Sequence, residues 1–172
     1  MIQTATATLI KTLTEHGLTV STAESLTGGL LAGELVSVPG ASLVFSGGIV
    51  SYHTQLKQTL LGVDAKQLAQ SGPVDPLVAE QMADGARLAC AIDGRPADLG
   101  LATTGVAGPD PDLQTGQPAG TVYIGIATRQ GARSVRLSLH GDRPAIRVAT
   151  VAAAVHEALI ELKALGLDAV RD

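Results

Sequence analysis

Apolar positions along the chain fall into two rhythms, one of helical period and one that alternates as strands do. Residues 3–16 carry Ala5, Leu9, Ile10 and Leu13 on one helical face and stop at Gly17, which predicts an amphipathic helix. Leu18, Val20 and Thr22 then alternate over a strand at 18–24, and Leu26, Leu30, Leu31 and Leu35 return to helical spacing over 26–38, ahead of Pro39-Gly40. The run FSGGIVS predicts a second strand over 45–51. Short helices are expected over 53–61, stopped by Gly62, and over 64–70. Asp75 as N-cap and Pro76 at the first helical position open a helix over 76–92, with Val78, Met82, Ala86 and Cys90 on one stripe. A third strand covers 99–106, and a polar loop rich in Gly, Pro, Asp and Gln runs from it to Gly120. Loops of that length inside a compact domain tend to be functional, so residues 111–119 are expected to border a site. TVYIGIAT at 121–128 and SVRLSLH at 134–140 form a hairpin joined at Gln130-Gly131. Ile146, Val148, Val151, Val155, Leu159 and Leu162 give the last helix a long apolar face, and the final residues are expected to fray.

Strands alternating with helices, closed by one hairpin, predict an α/β protein: a three-layer α/β/α sandwich on a mixed, mostly parallel sheet of about five strands. A length of 172 residues suits a single domain over 1–172, with its core at about 5–165. Apolar runs fall well short of the ~20 residues of a membrane span, and the N-terminus lacks the three-part pattern of a signal peptide, so no membrane partner and a cytoplasmic location are expected. Cys90 is the only cysteine, which rules out an intramolecular disulfide, and its Ala-rich surroundings make it a candidate small core residue. A net charge of −4, with one Phe, two Tyr and no Trp, lacks the basic field and stacking platforms of a nucleic-acid surface. His16, His53, His140 and His156 show no ligand spacing, so no metal and no cofactor are expected.

Candidate chemistry gathers at VSTAESLTGGLLAG, where the first strand gives way to a helix. Such a turn aims unpaired N–H groups and the helix dipole at whatever lies before it, and Glu24, Ser25, Thr27, Gly28 and Gly29 occupy it. Ser25 reads either as a nucleophile whose own and following N–H groups form an oxyanion hole, or as an ordinary N-cap. No histidine lies in a recognisable partner pattern for it, which leaves Lys57, as a base of lowered pKa or as a solvated surface lysine. Tyr52 could relay or orient the proton, or pack at a strand end. Thr103, Thr104, Gly105, Gly108 and Asp110 mark the end of the third strand, either as ligand groups or as turn formers. Arg143 reads as a phosphate fork or as a partner of Asp142. GVAGP is no Walker loop, because no Gly-Lys-Ser/Thr follows.

The blocks TAESLTGG, GGIVSYHTQLK, LGV, TTGVAGPD, PAGTVYIGIA and GDR occur here in one order, and in this the chain resembles the CinA C-terminal domain family, over about Ala5 to Leu162. That family includes amidohydrolases of nicotinamide mononucleotide. The resemblance implies a cleavage of that nucleotide's carboxamide to nicotinate mononucleotide and ammonia, in pyridine nucleotide salvage, by a protein that forms a homodimer. It implies Ser25 as nucleophile, Lys57 as base and Tyr52 as a further catalytic position, with Thr104 and Arg143 binding substrate. Chemistry adds N–H groups around Thr27 and Gly28 for the oxyanion, Glu24 or Asp110 against the pyridinium charge, and Arg143 or the Gly105 to Gly108 strand end for the phosphate. Two features depart from the family pattern: Asp75 replaces a frequent serine, and His53-Thr54-Gln55-Leu56 replaces smaller and acidic residues. If His53 faced the site it would compete with Lys57 or shift its pKa. The alternative from another class is a catalytically silent nucleotide-binding or regulatory module. A metal-dependent phosphatase would have only Asp110 and Asp112 to offer.

Overall fold

The computed structural model describes residues 2–168, and the expected fraying of the last residues falls partly outside that range. Helix α1 (Ile2–Glu15) ends where Gly17 takes a left-handed φ of 62°. Leu18 N–H reaches back to the Leu13 carbonyl at 2.9 Å and Gly17 N–H to the Thr14 carbonyl at 3.2 Å, the pairing of a Schellman cap. Leu18 is spent on that cap, so β1 (Val20–Glu24) starts two residues later than the alternation suggests.

Helix α2 (Leu30–Val36) and a 3-10 turn (Ala41–Leu43) lead to β2 (Phe45–Val50). Helix α3 (Thr54–Leu61) is capped by His53, α4 (Ala65–Ser71) by Asp64 and α5 (Pro76–Ala89) by Asp75. Then come β3 (Leu99–Gly105), β4 (Thr121–Thr128), β5 (Gly131–Ser138) and α6 (Arg143–Ala164). The five strands lie in the order β2-β1-β3-β4-β5; β1 is parallel to both β2 and β3, and β4 is antiparallel to both its neighbours. The sheet is mixed as expected, with parallel and antiparallel pairings in equal number.

Apolar residues of α1, α2 and α6 pack on one face of the sheet around Val20, Leu99, Leu101 and Ile124. Residues of α3, α4 and α5 pack on the other around Ala23 and Ala102. A methyl group at Gly85 of α5 would stand 2.1 Å from the Leu61 carbonyl, so glycine there lets the end of α3 press onto α5. Two packing expectations fail. Cys90 is half-buried at the C-cap of α5, and Val148 is 57 % exposed, on the opposite side of its α6 turn from buried Ile146 and Thr150. Among the described residues no helix is long and apolar enough to cross a membrane.

Candidate active site

The β1 ladder extends one residue past the strand on both sides. Ser51 N–H donates to the Glu24 carbonyl at 2.8 Å, and Ser25 N–H donates to the Thr103 carbonyl at 2.9 Å. Ser25 therefore stands at the carboxyl edge of three adjacent parallel strands, where open α/β sheets collect ligands. After it, Gly28 N–H donates to the Ser25 carbonyl at 3.1 Å and closes a turn. Gly28 and Gly29 continue with φ of 59° and 95°, left-handed values that glycine adopts without strain, and this is why α2 begins at Leu30 and not at Leu26.

Glu24 lies elsewhere than the sequence suggests. Its carboxylate folds back and accepts N–H groups from Gly29 at 2.9 Å, Leu31 at 3.0 Å and Ala32 at 2.8 Å, and the residue is 1 % exposed. The positive end of α2 is thus answered by the protein's own carboxylate, and Glu24 does not face a ligand. Glu24→Gln replaces one accepting oxygen with a donor opposite N–H groups, and should cost about 2 kcal/mol of stability in a urea melt.

Ser25, Tyr52, Lys57, Thr104, Gly105, Gly108 and Arg143 come together around a cleft of about 260 Å³, with Leu26 and Asp110 also in its wall. Thr27 and Gly28 do not line it. The Thr27 hydroxyl pairs with that of Thr103 at 2.7 Å, out of contact with solvent.

Lys57 is 1 % exposed, which contradicts a solvated surface lysine. Its Nζ lies 3.1 Å from Ser25 Oγ and donates to the Ser51 carbonyl at 2.7 Å. Burial disfavours the ammonium and lowers its pKa from 10.5 to about 8. A neutral amine keeps one N–H for the Ser51 carbonyl and turns its lone pair to the Ser25 hydroxyl; an ammonium donates to both. Between pH 8 and 10.5 the unfolded chain binds a proton at this lysine that the folded chain has released. Stability contributed by Lys57 therefore rises with pH across that window. Wild type should gain on Lys57→Met by up to about 3 kcal/mol from pH 8 to 10.5 in parallel urea melts.

Arg143 spans the cleft mouth, donating to the Gly108 carbonyl and to the Tyr52 hydroxyl, both at 2.9 Å. Tyr52 is 59 % exposed, and its hydroxyl accepts from Arg143 with no hydrogen bond to Ser25 or Lys57 among the described residues, so the structure does not bring it into direct contact with either. Thr104 Oγ1 donates to the Pro73 carbonyl at 2.6 Å, tying the α4–α5 connection to the rim. The loop at 111–119 is strapped to the same connection, with Gln117 Nε2 donating to the Val74 carbonyl at 2.7 Å and Asp112 accepting from Thr115. His53 Nδ1 accepts from Gln55 N–H at 3.2 Å and caps α3, away from the cleft.

Which N–H groups could meet an oxyanion also differs from the expectation. Those of Ser25 and Gly28 are already bonded, whereas those of Leu26 and Thr27 have no partner among the described residues. At the end of β3 the N–H groups of Ala107 and Gly108 are likewise unspent beside Arg143. Sequence reasoning missed Arg147, whose Nε and NH2 groups donate to the carbonyls of Leu26 at 2.9 Å and Thr27 at 2.7 Å. The available signal was its place one helical turn after Arg143.

The family model of the CinA C-terminal domain matches residues 2–162. A CinA-like protein of Frankia casuarinae is 48 % identical over 143 residues, covering 83 % of this chain and 31 % of its own length. A putative competence-damage inducible protein of a Geobacillus species is 45 % identical over 142 residues, covering 82 % of this chain and 32 % of its own. The chain thus spans about a third of the length of these curated relatives. Among solved structures, the competence/damage inducible protein CihA of Agrobacterium tumefaciens superposes with a TM-score of 0.85 at 36 % identity, covering 94 % of this chain and 95 % of that one. A CinA superfamily protein of Escherichia coli gives 0.84 at 30 %, covering 94 % and 90 %. By sequence along nearly its whole length and by the shape of its fold, the chain belongs to the CinA C-terminal domain family.

Proposed function

We propose that this chain is an amidohydrolase that converts nicotinamide mononucleotide to nicotinate mononucleotide and ammonia. The observation that carries the reading is the 3.1 Å approach of Lys57 Nζ to Ser25 Oγ at the end of β1, with Lys57 buried and its pKa lowered to about 8. A buried lysine costs stability, and a function is the usual compensation for such a cost.

In the reaction, neutral Lys57 takes the hydroxyl proton as Ser25 Oγ bonds to the carboxamide carbon. The carbonyl electron pair moves to oxygen, where unspent N–H groups of the Ser25 turn stabilise it. Lys57 then passes its proton to the amide nitrogen, the C–N bond breaks, and ammonia leaves an ester on Ser25. Water attacks that ester with Lys57 again accepting a proton, and the proton returns to Ser25 as the nucleotide acid departs. Arg143 and the free N–H groups of Ala107 and Gly108 suit the 5′-phosphate, and Asp110 with the exposed ring of Tyr52 suits the pyridinium. The protein acts as a homodimer in this reading.

Ammonia release from nicotinamide mononucleotide, measured on purified protein beside Ser25→Ala, tests the proposal. Turnover confined to wild type supports it. Equal background in both, together with measurable binding of the nucleotide, would replace it with a silent nucleotide-binding module.

A further inference from the structure

Arg147 is half-buried on α6 and pairs with no carboxylate among the described residues. Its guanidinium instead spends two donors on consecutive carbonyls, those of Leu26 and Thr27, in the turn that follows Ser25. The peptide bonds of this turn are trans, since the one cis bond among the described residues is Gly108-Pro109. In a trans peptide the C=O and the next residue's N–H point opposite ways. Fixing the Thr27 carbonyl on Arg147 therefore sets the Gly28 N–H, which donates to the Ser25 carbonyl at 3.1 Å; with that carbonyl held, the N–H across the same peptide, the unspent one of cleft-lining Leu26, points the opposite way. A cation on a carbonyl also polarises the N–H across the same amide, making it a stronger donor.

From these contacts we propose that Arg147 is a positioning residue for acyl transfer at Ser25: by holding the carbonyls of Leu26 and Thr27 it keeps the Gly28 N–H on the Ser25 carbonyl, so that the unspent Leu26 N–H stays set for the developing oxyanion. It touches neither substrate nor the reacting atoms. Gly28 turns the chain at a φ of 59°, and its Cα lies against the guanidinium, where an added methyl group would meet Arg147 Nη2 at 3.4 Å, an ordinary contact. Glu24 secures the far end of the same turn through Gly29, Leu31 and Ala32, so the segment between Ser25 and α2 is held by an anion on its N–H groups and a cation on its carbonyls.

The inference rests on Ser25 being the nucleophile, and p-nitrophenyl acetate separates the two claims because it acylates an activated serine without needing the nucleotide pocket. The burst of p-nitrophenol should fall about a hundredfold in rate, at full amplitude, in Arg147→Met, and recover in part in Arg147→Lys, which can still serve one carbonyl. KM for nicotinamide mononucleotide should stay within about threefold while kcat drops with the burst rate. A purely structural arginine would lower burst amplitude, the fraction of folded enzyme, and leave the rate per active site unchanged. That result, or a burst rate within about threefold of wild type in Arg147→Met, overturns the proposal. Absence of a burst in wild type overturns the nucleophile assignment, and the inference with it.

Discussion

Ser25→Ala should lower kcat for ammonia release by at least about a thousandfold while leaving the Kd for nicotinamide mononucleotide within about threefold. The asymmetry follows from what the side chain does. In the proposed reaction Oγ supplies the bond that forms in the transition state, and the wall that would hold the nucleotide comes from β3, the α4–α5 connection and the start of α6. None of those elements depends on the Ser25 hydroxyl, which accepts its one hydrogen bond among the described residues from Lys57 Nζ. The backbone of residue 25 stays fixed by the Thr103 carbonyl and the Gly28 N–H whatever its side chain. Rate assays paired with calorimetric titration of the nucleotide separate the two effects, and a parallel loss of binding and turnover would point to a collapsed site.

Lys57→Met should cost about a thousandfold in kcat, near the upper part of what a positioned base contributes. Its more specific consequence is in the pH profile. In the proposed reaction the working form is the neutral amine, which with a pKa of about 8 makes up about a tenth of the lysine at pH 7 and half near pH 8. Wild-type kcat/KM should climb about tenfold per pH unit below 8 and level above it. The residual activity of Lys57→Met should lack that limb. Lys57→Arg should not restore the rate, because a guanidinium stays charged throughout this range. A wild-type profile that is flat from pH 6 to 9 would deny Lys57 the role of base.

Much of this arrangement is legible in the sequence, because strand ends and helix starts announce themselves. Leu18, Val20 and Thr22 alternate into Ala23-Glu24-Ser25, and Asp75-Pro76 opens α5 as its chemistry requires. What the sequence hides are contacts between segments far apart in it. Glu24 looks like a free carboxylate beside a polar cluster, and only the double left-handed step at Gly28 and Gly29 brings the first N–H groups of α2 back onto it. Ser25 looks like a helix start with its own N–H to spare, yet the parallel ladder with β3 runs one residue further and takes that N–H. Lys57, between Leu56 and Gln58, looks from the residues alone like a solvated helix-surface lysine, yet it is buried with its amine on Ser25 and the Ser51 carbonyl, partners 32 and 6 residues away. Arg147 lies over a hundred residues from the carbonyls it binds, beyond the reach of any local pattern.

The rate at which a fluorophosphonate labels the protein, with the modified peptide identified by mass, tests the Ser25–Lys57 pairing most directly. The account predicts one label, on Ser25, at a rate that rises through about pH 8, slows with added nicotinamide mononucleotide and falls steeply in Lys57→Met. A label placed elsewhere, or a Ser25 label whose rate Lys57→Met leaves unchanged, would contradict it.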